Sequence, residues 1–239
     1  MDTVSLMSAA ARRGCFGASL PHRRAGSRLG EGQSGPSREG ELHCVNTTSI
    51  EISEEPMSAA SEYARIPISF EVHAALDVIA DASNPTSFRL SERRVGRPYL
   101  KDYDAIDDES PAQWTHRFDT SKWGLLTARV GGQLIGGAAV AYDTPGLKIL
   151  EGRSDLAVLW DIRVMTSQRR HGVGSALFRA AEAWASARGC RQLKVETQHI
   201  NVPACRFYAR HGCELRAVHR GAYPGLPDEI QLLWYKDLP

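Results

Sequence analysis

From residue 61 onward the apolar positions of the chain recur with two periods, one near two residues and one near 3.6, so strands and helices can be read in turn. Residues 63–72 alternate loosely through Ile66, Ile68, Phe70 and Val72 and predict a first strand; residues 74–82 predict a short helix that Asn84-Pro85 ends. Residues 123–130 and 133–142 are two apolar runs joined by Gly131-Gly132, a dipeptide suited to the positive φ angles of a tight hairpin turn. Beyond a Pro145-Gly146 turn, residues 156–164 form an apolar run interrupted by Asp161 and Arg163, the pattern of a mostly buried strand. Residues 175–188 set Leu177, Phe178, Ala181, Trp184 and Ala185 on one helical face, with Gly189 where a helix end favours a left-handed residue. A short strand at 192–197 follows. Asn201 then predicts the cap of a second helix that tolerates Pro203 in its first turn and closes at Gly212. Strands at 214–220 and 229–236 complete an α+β domain on one central sheet, without internal repeat.

The first 60 residues differ. Residues 1–40 mix six arginines with Gly, Ser and Pro, contain no lysine, and carry neither period. We expect residues 1–60 to be a disordered Arg/Ser/Gly-rich extension and residues 61–239 to be one domain. A transit peptide, arginines docked on nucleic acid, and translation from Met57 are alternative readings of the same segment. Over the whole chain 29 basic and 28 acidic residues leave a net charge of +1, which supplies no global field for nucleic acid and leaves any ionic preference to be local. The longest apolar stretch falls short of the ~20 residues of a membrane-spanning helix. Cys15, Cys44, Cys190, Cys205 and Cys213 are odd in number, with no C-x-x-C pair, and the eight histidines show no ligand spacing. A disulfide framework and a metal site are therefore not expected, and a reducing cytoplasm is.

Two segments carry candidate chemistry. Residues 101–109 hold five carboxylates, Asp102, Asp104, Asp107, Asp108 and Glu109, interleaved with Tyr103 and preceded by Tyr99. Carboxylates and aromatic faces together suit a cationic ligand, although such a run is also the ordinary dress of a solvated loop. The second segment is Arg169-Arg170-His171-Gly172-Val173-Gly174-Ser175, where a strand ends, a glycine turn follows and a helix begins. The free N–H groups and the dipole of a helix start favour a diphosphate there. No Gly-Lys-Ser/Thr follows and the glycines are too few for a dinucleotide fingerprint, so nucleoside triphosphate and NAD are disfavoured.

Arg169-x-x-Gly172-x-Gly174 followed one strand later by Asn201-x-x-Ala204-x-x-Phe207-Tyr208-x-x-x-Gly212 resembles the acetyl-CoA-binding core of the GNAT superfamily of N-acetyltransferases. Pro98-Tyr99-x-Lys101-x-Tyr103, Glu196-Thr197-Gln198-x-Ile200-Asn201, Ala204-Cys205-x-Phe207-Tyr208 and Trp234-Tyr235-x-Asp237-Leu238 are similar to its streptothricin acetyltransferase branch. The resemblance implies a mostly antiparallel mixed sheet with helices on both faces and two splayed central strands. It also implies direct transfer of acetyl from acetyl-CoA to an amine, with no metal. On it, Val164, Arg169, Arg170, His171, Gly172, Val173, Gly174, Ser175 and Asn201 are expected at the cofactor, and Tyr208 as the acid that protonates the departing thiolate.

A neutral amine must attack, so a proton acceptor is required. Asp161 and Glu196 are the candidates, because carboxylates in strands that open on the acetyl group are costly to bury without a use; Asp161 is favoured, and pairing with Arg163 or Lys194 is the structural alternative. Tyr99, Tyr103, Asp104 and Asp161 are expected to bind a small cationic amine, with antibiotic detoxification as the specific version. A protein N-terminus or lysine as acceptor, and a non-catalytic acyl-CoA-binding regulatory module, are the competing readings. Exposed final strands leave a homodimer open.

Overall fold

The computed structural model describes residues 49–80, 88–106 and 109–239. Among the described residues nine strands are formed, β1 Glu51–Glu55, β2 Phe70–Ala80, β3 Phe88–Lys101, β4 Gly124–Val130, β5 Gln133–Tyr142, β6 Leu156–Val164, β7 Gln192–Gln198, β8 Glu214–Arg220 and β9 Ile230–Asp237. The α-helices are two single turns, α1 Ala60–Tyr63 and α2 Trp114–Arg117, and two longer ones, α3 Val173–Ser186 and α4 Val202–Arg210. Seven strands make one sheet in the order β1-β4-β5-β6-β7-β9-β8, in which only β6 and β7 run parallel. β2 and β3 form a separate antiparallel pair.

The β4–β5 hairpin forms because Gly131 and Gly132 take φ of +56° and +79°, which residues with a Cβ rarely adopt. Alternation along the strands builds a core on each face. Ala157 and Leu159 of β6 join α3 and α4 on one side. Val158 between them packs with Tyr63, Trp114 and Trp123 on the other. The neighbouring glycines of β5 show the same division at close range. A Cβ on Gly136 would lie 3.0 Å from Val173 of α3, and one on Gly137 would lie 2.7 Å from the ring of Tyr63. Helices therefore cover both faces.

The feature that creates a site is the parting of β6 from β7. They pair only from Leu156 with Gln192 to Leu159 with Val195, while β6 runs on to Val164 and β7 to Gln198. On its other edge β6 shifts register against β5 between Leu159 and Asp161, so Trp160 is an extra residue that bends the strand as it leaves β7.

Three expectations are corrected. The helix expected over residues 74–82 is not formed from Ala74 to Ala80, where the chain is strand paired with Arg94 to Phe88, so cross-strand pairing overrides the local helix preference of the alanines; residues 81 and 82 lie outside the described residues. The strand expected from residue 63 starts at Phe70, and Tyr63 closes α1 instead. The folded region also begins before residue 61, since β1 pairs with β4 and sets Ile52 against the α3 side of the core. The Arg-rich residues 1–48 lie outside the described residues, as do Asp107 and Asp108 of the acidic run.

Candidate active site

Between the parted ends of β6 and β7 opens a cleft of about 520 Å³. Its walls include Asp161 and Val164 of β6, Glu196 of β7, Gly174 of α3, Asn201 and Tyr208 at α4, and Tyr103 and Asp104 from the loop after β3. The sequence motifs, far apart in the chain, thus converge on one opening. Tyr99 does not. It is 46% exposed and lines a neighbouring groove beside His199 and Ile200, because two residues of extended β3 and a turn separate it from Tyr103.

At one end of the cleft the chain turns from β6 into α3. Arg170 and Gly172 take left-handed φ of +71° and +85°, and Gly172 caps the helix. Ala176 donates the first intrahelical bond to the Gly172 carbonyl at 3.0 Å, leaving the amides of Val173, Gly174 and Ser175 without helical acceptors. No atom lies within 4 Å of where a Cβ on Gly172 would stand, so a diphosphate can approach this backbone. Arg170 and His171 are exposed beside it. The other expected contacts are engaged within the fold. The Val173 side chain is buried in the core, Ser175 Oγ lies 3.0 Å from His211 Nε2, and Arg169 donates to the carbonyls of Val164, Pro67 and Ser69. Among these groups, then, the backbone amides are what the turn offers an anion.

Asp161 is held by two side chains. Arg163, two residues on and on the same side of β6, donates to both its oxygens at 2.9–3.1 Å, and the Tyr63 hydroxyl donates at 2.5 Å. The Arg163 side chain is only 2% exposed and also donates to the Ile66 carbonyl at 3.1 Å and to Asp104 Oδ2 at 2.8 Å. These carboxylates raise the guanidinium above its ordinary pKa despite burial, and Asp161 with burial raises the Tyr63 phenol. The pairing named as the structural alternative for Asp161 is present: Arg163 and the Tyr63 phenol both bond to its carboxylate. Asp104 differs, because its Oδ1 is buried with no hydrogen-bond partner among the described residues.

Glu196 makes no ion pair with a described residue. Lys194 turns to Glu151 at 2.7 Å, while Glu196 receives the Tyr223 hydroxyl at 2.6 Å and Gln231 Nε2 at 2.8 Å, one on each oxygen. Burial lifts its carboxyl above the ordinary glutamate range, and these two donors offset part of that rise. Nearby, the Tyr103 hydroxyl donates to Glu229 at 3.0 Å, and Glu229 also takes the Lys101 ammonium.

Across the cleft, Tyr208 projects from α4, whose start is set by Asn201: its Oδ1 accepts from the Ala204 amide at 3.2 Å. Burial lifts the Tyr208 phenol far above its ordinary pKa, with Asp161 adding to the rise, so the hydroxyl keeps its proton at neutral pH. Tyr208 lines the cleft, and its hydroxyl bonds to no described residue. Among the described residues no group of three or more His, Cys, Asp or Glu is placed to hold a metal, and no helix is long and apolar enough to cross a membrane.

Tyr63, Tyr223 and Gln231 were not legible as site residues. Tyr63 meets Asp161 across 98 positions and Tyr223 meets Glu196 across 27, and neither sits in a motif. Two unpaired acids inside apolar strands were the available signal that donors must exist somewhere.

Residues 90–213 match the Acetyltransferase (GNAT) family. Streptothricin acetyltransferase A of Bacillus subtilis (strain 168) is 31% identical over 154 residues, covering 61% of this chain and 77% of that one. Streptothricin acetyltransferase of Escherichia coli is 31% identical over 151 residues, covering 62% and 75%. Among solved structures, nourseothricin acetyltransferase superposes with a TM-score of 0.63 at 25% identity, over 80% of this chain and all of that one. A Bacillus anthracis str. Ames protein described as a streptothricin acetyltransferase, solved with acetyl coenzyme A, gives the same score and identity over 81% of this chain and all of the other.

Proposed function

The chain belongs to the GNAT family and is an acetyl-CoA-dependent N-acetyltransferase, and from that premise we propose that its acceptor is a small cationic amine, a streptothricin-type antibiotic first among them. The observation that carries this reading is Asp104 Oδ1, a carboxylate oxygen buried in the cleft wall with no partner among the described residues. Arg163 serves only the other oxygen, and a buried carboxylate oxygen left without a donor is costly unless a ligand completes it, as an ammonium group does. Glu71 and Glu109 also line the cleft, Glu71 beside His73 and Glu109 paired with Arg117, and the two arginines of its lining are engaged with Asp161, Asp104 and backbone carbonyls. The relatives named for streptothricin and nourseothricin point to the same class of acceptor.

Acetyl-CoA supplies the acetyl group as an activated thioester. The amides of Val173, Gly174 and Ser175, with Arg170 and His171 beside them, would hold its diphosphate, and Asn201, at the start of α4, would contact its arm. Glu196, lifted by burial above the ordinary glutamate range and bonded to no cation among the described residues, accepts the proton of the acceptor ammonium directly or through a water. Tyr208 Oη, still protonated, donates to the departing thiolate. Asp161 does not act as base in this scheme. It fixes Arg163, which orients Asp104 for the acceptor.

Asp104→Asn tests the reading through thiol-release kinetics on streptothricin. A charged hydrogen bond is worth ~1.5–3 kcal/mol, and the lower end applies to a residue with a quarter of its side chain exposed, so the acceptor KM should rise about tenfold. The KM for acetyl-CoA should not move. An unchanged acceptor KM contradicts the assignment of Asp104.

A further inference from the structure

Glu196 is held by two donors from different elements, one on each carboxylate oxygen: the Tyr223 hydroxyl from the β8–β9 loop and the Gln231 amide from β9. Tyr223 is buried, and its hydroxyl oxygen receives Gln198 Nε2 at 3.0 Å, which polarises the phenol as a donor. The loop that carries it is tied down at its far end, where Glu229 takes Lys101 and Tyr103. Such investment around one buried acid exceeds what packing needs, because a neutral isostere would cost less to bury. We propose that Tyr223 and Gln231 are positioning residues that orient the Glu196 carboxylate toward the acceptor amine and set the pH above which it takes the amine's proton. The inference rests on Glu196 as the base.

The charges facing Glu196 are few. Lys194 on its own strand favours the anion but is engaged with Glu151, and Glu109 from the loop before α2 disfavours it. Tyr103 and Tyr223 stay protonated, their phenols raised by burial and by Glu229 and Glu196. The two hydrogen bonds are therefore the adjustable part of its environment. In the step itself one proton passes from the acceptor ammonium to the carboxylate. The N–H bond breaks, an O–H bond forms, and both donors remain in place, so a donor that stabilises the anion lowers the pH at which Glu196 is ready.

The test is the pH profile of kcat/KM for the acceptor at saturating acetyl-CoA. Tyr223→Phe, which keeps the ring in its buried place, should move the acid limb upward by about one pH unit or more, as expected for a lost hydrogen bond to a charged group. The plateau at high pH should fall far less than the rate at low pH, and the KM for acetyl-CoA should stay put. Gln231→Met removes the other donor without touching the loop and should shift the limb in the same direction. Limbs unmoved in both variants overturn the proposal. Glu196→Gln separates this from the reading beneath it: retention of the wild-type rate and limb would overturn Glu196 as base, whereas a lost limb there with unmoved limbs in the two donor variants overturns only the positioning role.

Discussion

Arg163→Met isolates what the ion pair in the cleft wall does. The guanidinium makes three bonds to Asp161 at 2.9–3.1 Å, one to Asp104 at 2.8 Å and one to the Ile66 carbonyl at 3.1 Å, from a side chain only 2% exposed. Methionine fills part of the volume and strands the Asp161 carboxylate, itself 7% exposed, with the Tyr63 phenol alone. Removing one partner of a buried pair costs ~3–5 kcal/mol, because the other charge stays buried. Asp104 can turn to solvent, so the lower end applies. For a folded region of this size each kcal/mol is worth roughly 2–4 °C, which gives a fall in Tm of about 6–12 °C at neutral pH. The assay is thermal unfolding followed by circular dichroism. The loss should shrink as the pH falls, since protonation removes the stranded charge, and Asp161→Asn added to Arg163→Met should recover part of the Tm. A fall of under about 2 °C, or a loss that neither acid nor Asp161→Asn relieves, would refute the view that Arg163 neutralises Asp161.

Glu196→Gln should stabilise the fold at neutral pH. The folded-state carboxyl is raised by burial, so wild-type stability is greatest below the ordinary carboxylate range and falls as pH rises through the window up to the raised value; glutamine has no such loss, and the two Tm curves should meet in acid and separate above it. Tyr208→Phe should lower kcat by about 10²-fold, the smaller end of a general acid's contribution, with the KM for acetyl-CoA unchanged in steady-state kinetics. Asn201→Ala removes the bond to the Ala204 amide and should cost ~1 kcal/mol in urea unfolding while the neighbouring helix α3 keeps its hydrogen-exchange protection. Gly137→Ala would drive a methyl group into the Tyr63 ring and should loosen the hold on Asp161, seen as a lowered Tm that Tyr63→Ala partly rescues.

Most of the central sheet was legible because its elements carry their own punctuation. The Gly131-Gly132 turn, the Asn201 cap and the apolar run of residues 156–164 each reappear as a hairpin, a capped helix and a strand, and α3 begins at the glycine turn. The hairpin β2–β3 was not legible from Ala74-Ala75-Leu76, since its strands are fixed by each other and by the bond from the Leu76 amide to the His199 carbonyl, contacts to which local pattern is blind. β1 hid among glutamates because only Ile50 and Ile52 face the core. In the site, Tyr208, Asn201, Gly174 and Glu196 reached the cleft from their motifs and Tyr99 did not, whereas the partners of the two acids, Arg163, Tyr63, Tyr223 and Gln231, lie outside the motifs. Those partners meet the acids through the tertiary fold, so the local pattern that singled out Asp161 and Glu196 carried no sign of which donors each would receive.

The central claim is the acceptor, and it is tested most directly by thiol release from acetyl-CoA on one panel: streptothricin, spermidine, lysine, an aminoglycoside and a peptide with a free N-terminus. The account predicts the highest kcat/KM on streptothricin, with the rate lost in Tyr208→Phe. Turnover of the peptide with none of the small cations acetylated would contradict it.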